Sequence, residues 1–303
     1  MKELDIDMVF TYVNGNDPEH IKKKNQNAGS SNFIQKYNPK IRTNNIEEII
    51  YSVRTVIKFI PWIRKIFIVT DKQIPPIDKV LIITQKVIII DHTKIIEKKY
   101  LPTFNSDVIE SFLHNIPDLS EIFLYNNDDV MHLRTVIRDD IYKIVDDKIL
   151  LKIRSNFNFN SIKFINTEFS KRIVYTANIF FQKFPKIKLI HNHHTKILRK
   201  STLKQLEKTQ EKILHEMRIN KFRNDNYINY LFFAVNTDNL IHKNIIINDY
   251  REVIELHLGN KNYNPKYFDL LTTSKPKFLC LNSMNITFKE PLKNLMMTFI
   301  NSG

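Results

Sequence analysis

The chain has 303 residues, 43% of them hydrophobic, and its 46 Lys and Arg outweigh 32 Asp and Glu to give a net charge of +14. That apolar content excludes a disordered tail, and a single cysteine, Cys280, excludes an internal disulfide and a cysteine-cluster zinc site. No stretch reaches the roughly 18 consecutive apolar residues of a membrane span, and the start, MKELDIDMVF, runs straight into a strand-like pattern. A cytoplasmic protein is therefore expected, one whose basic surface allows peripheral contact with the inner face of a membrane.

Residues 6–13 (IDMVFTYV) read as a strand that stops at the dense turn signal Asn14-Gly15-Asn16-Asp17-Pro18. The polar segment 20–40 reads as a connection or short helix lying over a site. From Asn45 the apolar spacing turns helical, with Ile46, Ile49, Ile50, Val53 and Ile57 on one face and Phe59-Ile60-Pro61-Trp62 ending the run. Strands follow at 65–70, 87–90 and 122–125, with a helix over 106–115. Beyond residue 140 the pattern is less regular: short strand-like runs at 149–153 and 162–165, then a charged amphipathic helix over 201–218. Strands alternating with helices predict an α/β fold with a mainly parallel central sheet, whose ligands gather at the carboxyl ends of the strands. Residues 14–17, Asp71, and 128–129 all sit at such ends. No repeat or low-complexity linker divides the chain, so residues 1–303 are expected to form one body with an inserted helical part.

The most informative run is Tyr125-Asn126-Asn127-Asp128-Asp129, where an apolar strand delivers two adjacent carboxylates behind two amides. Neighbouring acids at the end of a buried strand repel each other and lose hydration. A hard divalent cation, magnesium or manganese, is the common reason to keep them, and it implies phosphate. The competing reading is a solvated Asn-Asp turn. Among His191, His193 and His194, strand alternation turns the last two to opposite faces, so they cannot share one ion without a bend. A surface histidine patch is one reading; a single general base, His194, is the better functional use. Arg54 shares a turn with the core face of its helix and could reach an anionic ligand. Arg64 reads as an ordinary ion-pair partner.

The segments DMVFTYVNGNDP, YSVRTVIKFIPWIRKIFIVTDKQIP, IIDHTKII, YLPTFNSDVIESFLHNIPDLSEIFLYNNDDVM and KFLCLN, in that order, resemble the Stealth family. Its members include capsular polysaccharide sugar-phosphate transferases and the animal lysosomal-enzyme N-acetylglucosamine-1-phosphotransferase. The resemblance is strong over residues 5–133 and weak over 178–283. It implies a sheet related to GT-A nucleotide-sugar glycosyltransferases, with a nucleotide-sugar-binding half (1–135) and an acceptor, helical half (136–303). It also implies the reaction: a hexose-1-phosphate, N-acetylglucosamine-1-phosphate first, passes from a UDP-sugar to a glycan hydroxyl with release of UMP, in capsular or other surface polysaccharide assembly.

Carried over by resemblance, Asp128 and Asp129 hold Mg2+ or Mn2+, His194 is the base (His191 or His193 by a small shift of register), Arg54 clamps a phosphate, and Arg223 is a further catalytic residue. Asn14, Gly15 and Asp17 line the nucleotide end, Asn105, Ser106 and Glu110 contact the sugar or order its loop, and Asn178 and Asn282 complete the substrate contacts. The chain departs from the family pattern near Asn226 and Tyr227, with Asp225 the nearest acid, and at Ser283, where carboxylates are expected. A glycosyltransferase releasing UDP is the nearest alternative. A non-catalytic polyanion-binding module is a further one, although the lysines are spread along the whole chain instead of forming a nucleic-acid-binding stripe.

Overall fold

A computed structural model describes residues 3–28, 47–155, 157–163, 165, 167–248, 251–257, 264–274, 276–282 and 286–301. In chain order the strands are β1 (Ile6–Thr11), β2 (Ile66–Thr70), β3 (Val87–Asp91), β4 (Ile122–Asn127), β5 (Val130–Met131), β6 (Tyr142–Val145), β7 (Lys148–Arg154), β8 (Lys196–Arg199), β9 (Ile245–Ile247), β10 (Val253–His257) and β11 (Phe278–Asn282). The helices are α1 (Pro18–Asn27), α2 (Glu48–Phe59), α3 (Lys79–Ile83), α4 (Ser106–Glu110), α5 (Phe159–Ile162), α6 (Glu168–Lys183), α7 (Lys200–Thr209), α8 (Glu211–Arg218), α9 (Tyr230–His242), α10 (Lys266–Ser274) and α11 (Lys289–Asn301).

Strands β1 to β4 form a parallel sheet in the order β3-β2-β1-β4, and β8 extends it antiparallel beside β4. The mainly parallel α/β sheet expected from the sequence is present. Every residue of β2 is buried, as is β1 up to Phe10, so both strands read as unbroken apolar runs; a parallel sheet covered on two faces requires this. Strand order reverses between β1 and β4, which opens a crevice at their carboxyl ends.

One polar residue interrupts the apolar run of β1. Asp7 is fully buried, and its carboxylate accepts from Arg64 Nε at 2.9 Å, Arg64 Nη2 at 2.8 Å, Lys65 N at 3.1 Å and Ser120 N at 2.7 Å. Its own N–H donates to Ser120 Oγ at 2.9 Å. Because residues 64–65 lead into β2 and Ser120 leads into β4, one carboxylate ties together the amino ends of the three central strands. A buried charge is tolerable only when it is satisfied this fully.

Several elements differ from expectation for local reasons. Segment 20–40 begins inside α1, its residues 29–40 lie outside the described residues together with Asn45 and Ile46, and the next described helix is α2. The helix expected over 106–115 is split into α4 and a single tight turn, Leu113–Asn115. The run 162–165 is not a strand: Ile162 ends α5, whose N-cap Asn158 accepts from Asn160 N at 2.9 Å. The helix over 201–218 breaks at Gln210 into α7 and α8, and the break lets Arg218 fold back onto Glu207, with contacts of 2.7 and 2.5 Å. In a straight helix those residues would stand about 16 Å apart along the axis. Helix α6 was hidden among short strand-like runs, yet its Ile173, Ala177 and Phe180 recur at i, i+4 and i+7 and are buried.

The main hydrophobic core surrounds the central sheet, and a second cluster joins Tyr51 of α2 and Met131 of β5 to Leu279 and Leu281 of β11 and Leu292, Met296 and Phe299 of α11.

Replacing Asp7 with Ala should lower unfolding stability by about 3–5 kcal/mol, because it strands a half-buried guanidinium and several N–H donors. Ser120→Ala, which removes two neutral bonds, one from Asp7 N and one to Ile122 O, should cost about 2 kcal/mol. Urea unfolding of both variants checks this; equal losses would contradict the role given to Asp7.

Candidate active site

The crevice between β1 and β4 is floored by Tyr125. This residue is fully buried, and its hydroxyl lies 2.9 Å from Thr11 Oγ1, 3.0 Å from Glu110 Oε1 and 2.9 Å from Asn127 Oδ1. Tyr125 and Asn127 stand two apart on β4 and so share a face, while α4 brings Glu110 to the same point. Burial, and then the charge of Asp107, push the Glu110 carboxyl up to about 8, against the opposing pull of Arg223 and Lys196. Glu110 therefore keeps its proton near neutral pH. Asp107 is itself locked by Arg172, which also meets Glu168 at 2.6 Å, and by Tyr230 N at 2.9 Å.

At the end of β4 the chain turns through Asp128 and Asp129 into β5. The turn is clamped from two sides: Ser52 Oγ of α2 donates to Asp128 O at 2.5 Å, and Leu281 N of β11 donates to Asp129 O at 3.0 Å. Both side chains are half-buried. Burial, followed by the charges of Glu48 and Asp129, holds Asp128 well above the usual carboxylate range. Burial pushes Asp129 up to about 6, although Lys196 pulls it down. Asp129 Oδ1 has no hydrogen-bond partner among the described residues.

This donor set fits a hard divalent cation in one specific way. Glu48 and Asp129 both repel the Asp128 carboxylate, and a divalent charge relieves that repulsion. Among the described residues no group of three His, Cys, Asp or Glu side chains forms a complete metal cage. Magnesium does not need one, because it commonly uses one or two carboxylates together with waters and ligand phosphates.

The other residues singled out from the sequence divide into two groups. Arg223 joins the site: it donates to Ser106 Oγ, and its charge acts on Glu110, Tyr125 and Tyr227. His194 is buried, with its ring 5.1 Å from that of Phe278, and burial, then Lys196 and Arg154, hold its pKa well down, so the imidazole stays neutral. His191 and His193 face each other instead, Nε2 to Nε2 at 3.3 Å. His193 and His194 lie at bends ahead of β8, so the strand alternation expected for them is not formed.

Other candidates shape the loops. Asn14 is held through its backbone by Gln73 at 2.7 and 3.0 Å, and its Oδ1 accepts from Asn16 N at 3.0 Å, which bends the chain at Gly15. Asp17 caps α1, accepting from Glu19 N at 2.8 Å and His20 N at 3.1 Å, and these N–H groups hold its carboxyl below the usual range. Asn105 is fully buried: it caps α4 through Asp107 N at 3.2 Å and donates to Asn220 O at 3.0 Å and Tyr227 Oη at 2.8 Å. It orders the loop ahead of α4 from beneath. Tyr227, which stands where an acid was expected, fastens that loop, and Asp225 meets Lys171 at 3.2 Å.

Two candidates are not drawn in. Glu48 and Ser52 stand one turn apart on the α2 face that meets the acid pair. Arg54 lies two residues further, about 200° around the helix, and is exposed beside Met297 of α11 at 3.9 Å. Arg54 therefore stands off the α2 face that meets the acid pair. Asn178 is exposed on α6, on the side of Lys171 and Tyr175. Asn282 ends β11, but its side chain and Ser283 lie outside the described residues. The sequence reading missed Lys196, Glu48, Tyr125 and Thr11, whose placement depends on strand register and helix face.

Fold and site together define an α/β protein in which opposite charges converge at the switch point of a parallel sheet. Residues 42–149 match the model of Stealth protein CR2, conserved region 2. The capsular polysaccharide phosphotransferase LcbA of Aeromonas hydrophila is 31% identical over 304 residues, which is 97% of this chain and 82% of that protein. The capsular polysaccharide phosphotransferase cps1A of Actinobacillus pleuropneumoniae is 35% identical over 247 residues, 78% of this chain and 65% of that one. Among solved structures, the galactosyltransferase LgtC bound to donor and acceptor sugar analogues matches with a TM-score of 0.46 at 10% identity, over 98% of each chain. The chain belongs to the Stealth protein family.

Glu110 makes a signed prediction. Its folded pKa is about 8 against an ordinary 4.5, so between those values the unfolded chain has released a proton that the folded chain retains. Its contribution to stability must therefore fall as pH rises through that window. Glu110→Gln, which mimics the protonated form, should match the wild type near about pH 5 and gain on it toward about pH 8, by at most about 1.4 kcal/mol per pH unit. Urea unfolding at the two pH values measures the gap.

Proposed function

We propose that the protein transfers a hexose-1-phosphate from a UDP-sugar to a glycan hydroxyl and releases UMP, in the assembly of capsular or other surface polysaccharide. UDP-N-acetylglucosamine is the donor to test first. The observation that carries this reading is the pair Asp128 and Asp129, clamped at the switch point with a carboxylate, Glu48, behind them and the cations Lys196 and Arg223 facing in. The phosphotransferase names of the relatives support it.

In this reaction the acceptor oxygen attacks the phosphorus that bears the sugar. A new P–O bond forms, the bond to the bridging oxygen breaks, and UMP leaves with its electron pair. Asp128 and Asp129 would hold Mg2+ or Mn2+, which when bound neutralises diphosphate charge. The neutral imidazole of His194 accepts the acceptor's hydroxyl proton. Arg223, braced by Ser106, directs positive charge toward the protonated Glu110 and the sugar side of the crevice. We assign the donor to residues 1–135 and the acceptor to residues 136–303. Among the described residues no helix is long and apolar enough to cross a membrane, and the +14 charge suits peripheral contact with an anionic surface.

The nucleotide released from UDP-N-acetylglucosamine, identified by chromatography, tests the proposal: UMP supports it, whereas UDP would mean attack at the anomeric carbon and an ordinary glycosyltransferase. Asp128→Ala and Asp129→Ala should each lower turnover by about a thousandfold or more while leaving the fold intact by circular dichroism. Full rates in metal-free buffer would contradict the cation's role. His194→Ala should cost about a hundredfold; an unimpaired variant would shift the base to His191 or His193.

A further inference from the structure

We propose that Lys196 is a phosphate-binding residue of the donor site, its ammonium gripping a non-bridging oxygen of the diphosphate between Glu110 and Asp129. The inference deepens the phosphotransferase reading and rests on it.

The sheet geometry comes first. Strand β8 runs antiparallel to β4, so its first residue, Lys196, lies at the carboxyl end of the parallel strands, where ligands of such sheets bind. Its register partner is Tyr125. Residues directly opposed across a strand pair project from the same face, so Lys196 stands on the face where the Tyr125 hydroxyl meets Glu110.

Its surroundings are the second argument. An ammonium has three donors, and among the described residues the hydrogen bond made by Lys196 Nζ runs to His194 O at 3.3 Å. Glu110, Glu255 and Asp129 act on it through space, yet it forms no ion pair with any of them among the described residues. The buried arginines of this chain behave differently. Arg199 meets Asp238 at 3.2 Å, Arg218 meets Glu207 at 2.5 Å, and Arg154 meets Glu252 at 3.2 Å. Lys196 is only half-buried, so part of it stays reachable from the crevice, while its ammonium is desolvated enough for its pKa to be lowered. A cation in that state, with spare donors, gains most from an anion that enters the crevice.

Charge balance is the third. Glu110 keeps its proton near neutral pH, and the Glu255 carboxylate accepts from His193 N at 3.1 Å. With a divalent ion offsetting Asp128 and Asp129, Lys196 and Arg223 would be the side-chain cations left to meet the diphosphate. Lys196 then holds one oxygen as a point charge, without giving or taking a proton, and its attraction grows as charge builds on the phosphate during transfer.

The test compares wild type, Lys196→Met and Lys196→Arg by calorimetric titration with UDP in Mg2+ and by UMP release. Lys196→Met should bind UDP about 30-fold more weakly or worse, with turnover reduced, while its affinity for uridine, which lacks phosphate, stays the same. Its unfolding midpoint should hold or rise, because an apolar side chain replaces an unpaired charge. Lys196→Arg should recover part of the UDP affinity. A lysine that merely balances Glu110 and Asp129 gives the reverse: a lower midpoint for Lys196→Met and unchanged UDP affinity, and that result would overturn the inference. If the wild type releases no UMP but Lys196→Met still loses UDP affinity, the transfer reaction fails and the phosphate site stands. A wild type that does not bind UDP overturns both.

Discussion

The carboxylate of Asp7 sets the geometry on which the site relies. A parallel sheet has no hairpin turns to fix its register, and a slip of one residue moves every side chain by about 3.3 Å and onto the other face. By binding the chain just before β2 and just before β4, Asp7 pins β1 between them. Six residues of β1 pair in order with six of β4, from Ile6 with Ile122 to Thr11 with Asn127. The far ends of the two strands therefore arrive together, and the Asn14 turn and the acid pair face one crevice.

Behind that crevice lies a layer of satisfied charge. Arg172 sits between Asp107 and Glu168, and Asp107 also receives the Tyr230 N–H, so this ion network is fixed in place inside the fold. Its effect reaches the site through space, because the charge of Asp107 helps keep the proton on Glu110. In front of it, Asp128 and Asp129 are short of positive charge while Lys196 is short of a direct partner. Uncompensated groups of both signs, side by side at a sheet's switch point, are what a ligand carrying phosphate and a metal ion would complete.

Much of this was legible in the sequence where a signal is local. The buried strands announce themselves as apolar runs, and the acid pair as two charges closing one of them. What was not legible depends on longer geometry. Arg54 and Ser52 are two residues apart on one helix, and nothing local says which of them faces the acids; the packing of α11 decides it. Lys196 acquires meaning only through its pairing with Tyr125, 71 positions earlier by number (196 − 125). The break at Gln210 accompanies a contact between Glu207 and Arg218 that periodicity does not reveal. Helix α9 was invisible for the opposite reason: Tyr230 to Asn236 are buried in succession, so no apolar stripe stands out.

One of the two clamps on the acid turn, and the helix that packs against the other, come from far downstream of it. Leu281 of β11 holds Asp129 directly, while α11 packs along α2: Lys58 donates to the carbonyls of Phe299 and Ile300 at 2.9 and 2.8 Å, and Lys289 pairs with Glu47 at 2.9 Å. During synthesis, the parallel sheet and its loops emerge from the ribosome well before these supports do. A nascent chain can thus fold its parallel sheet early, but the acidic turn has only its Ser52 clamp until β11 and α11 dock, so its final geometry waits for residues 278–301 to be made.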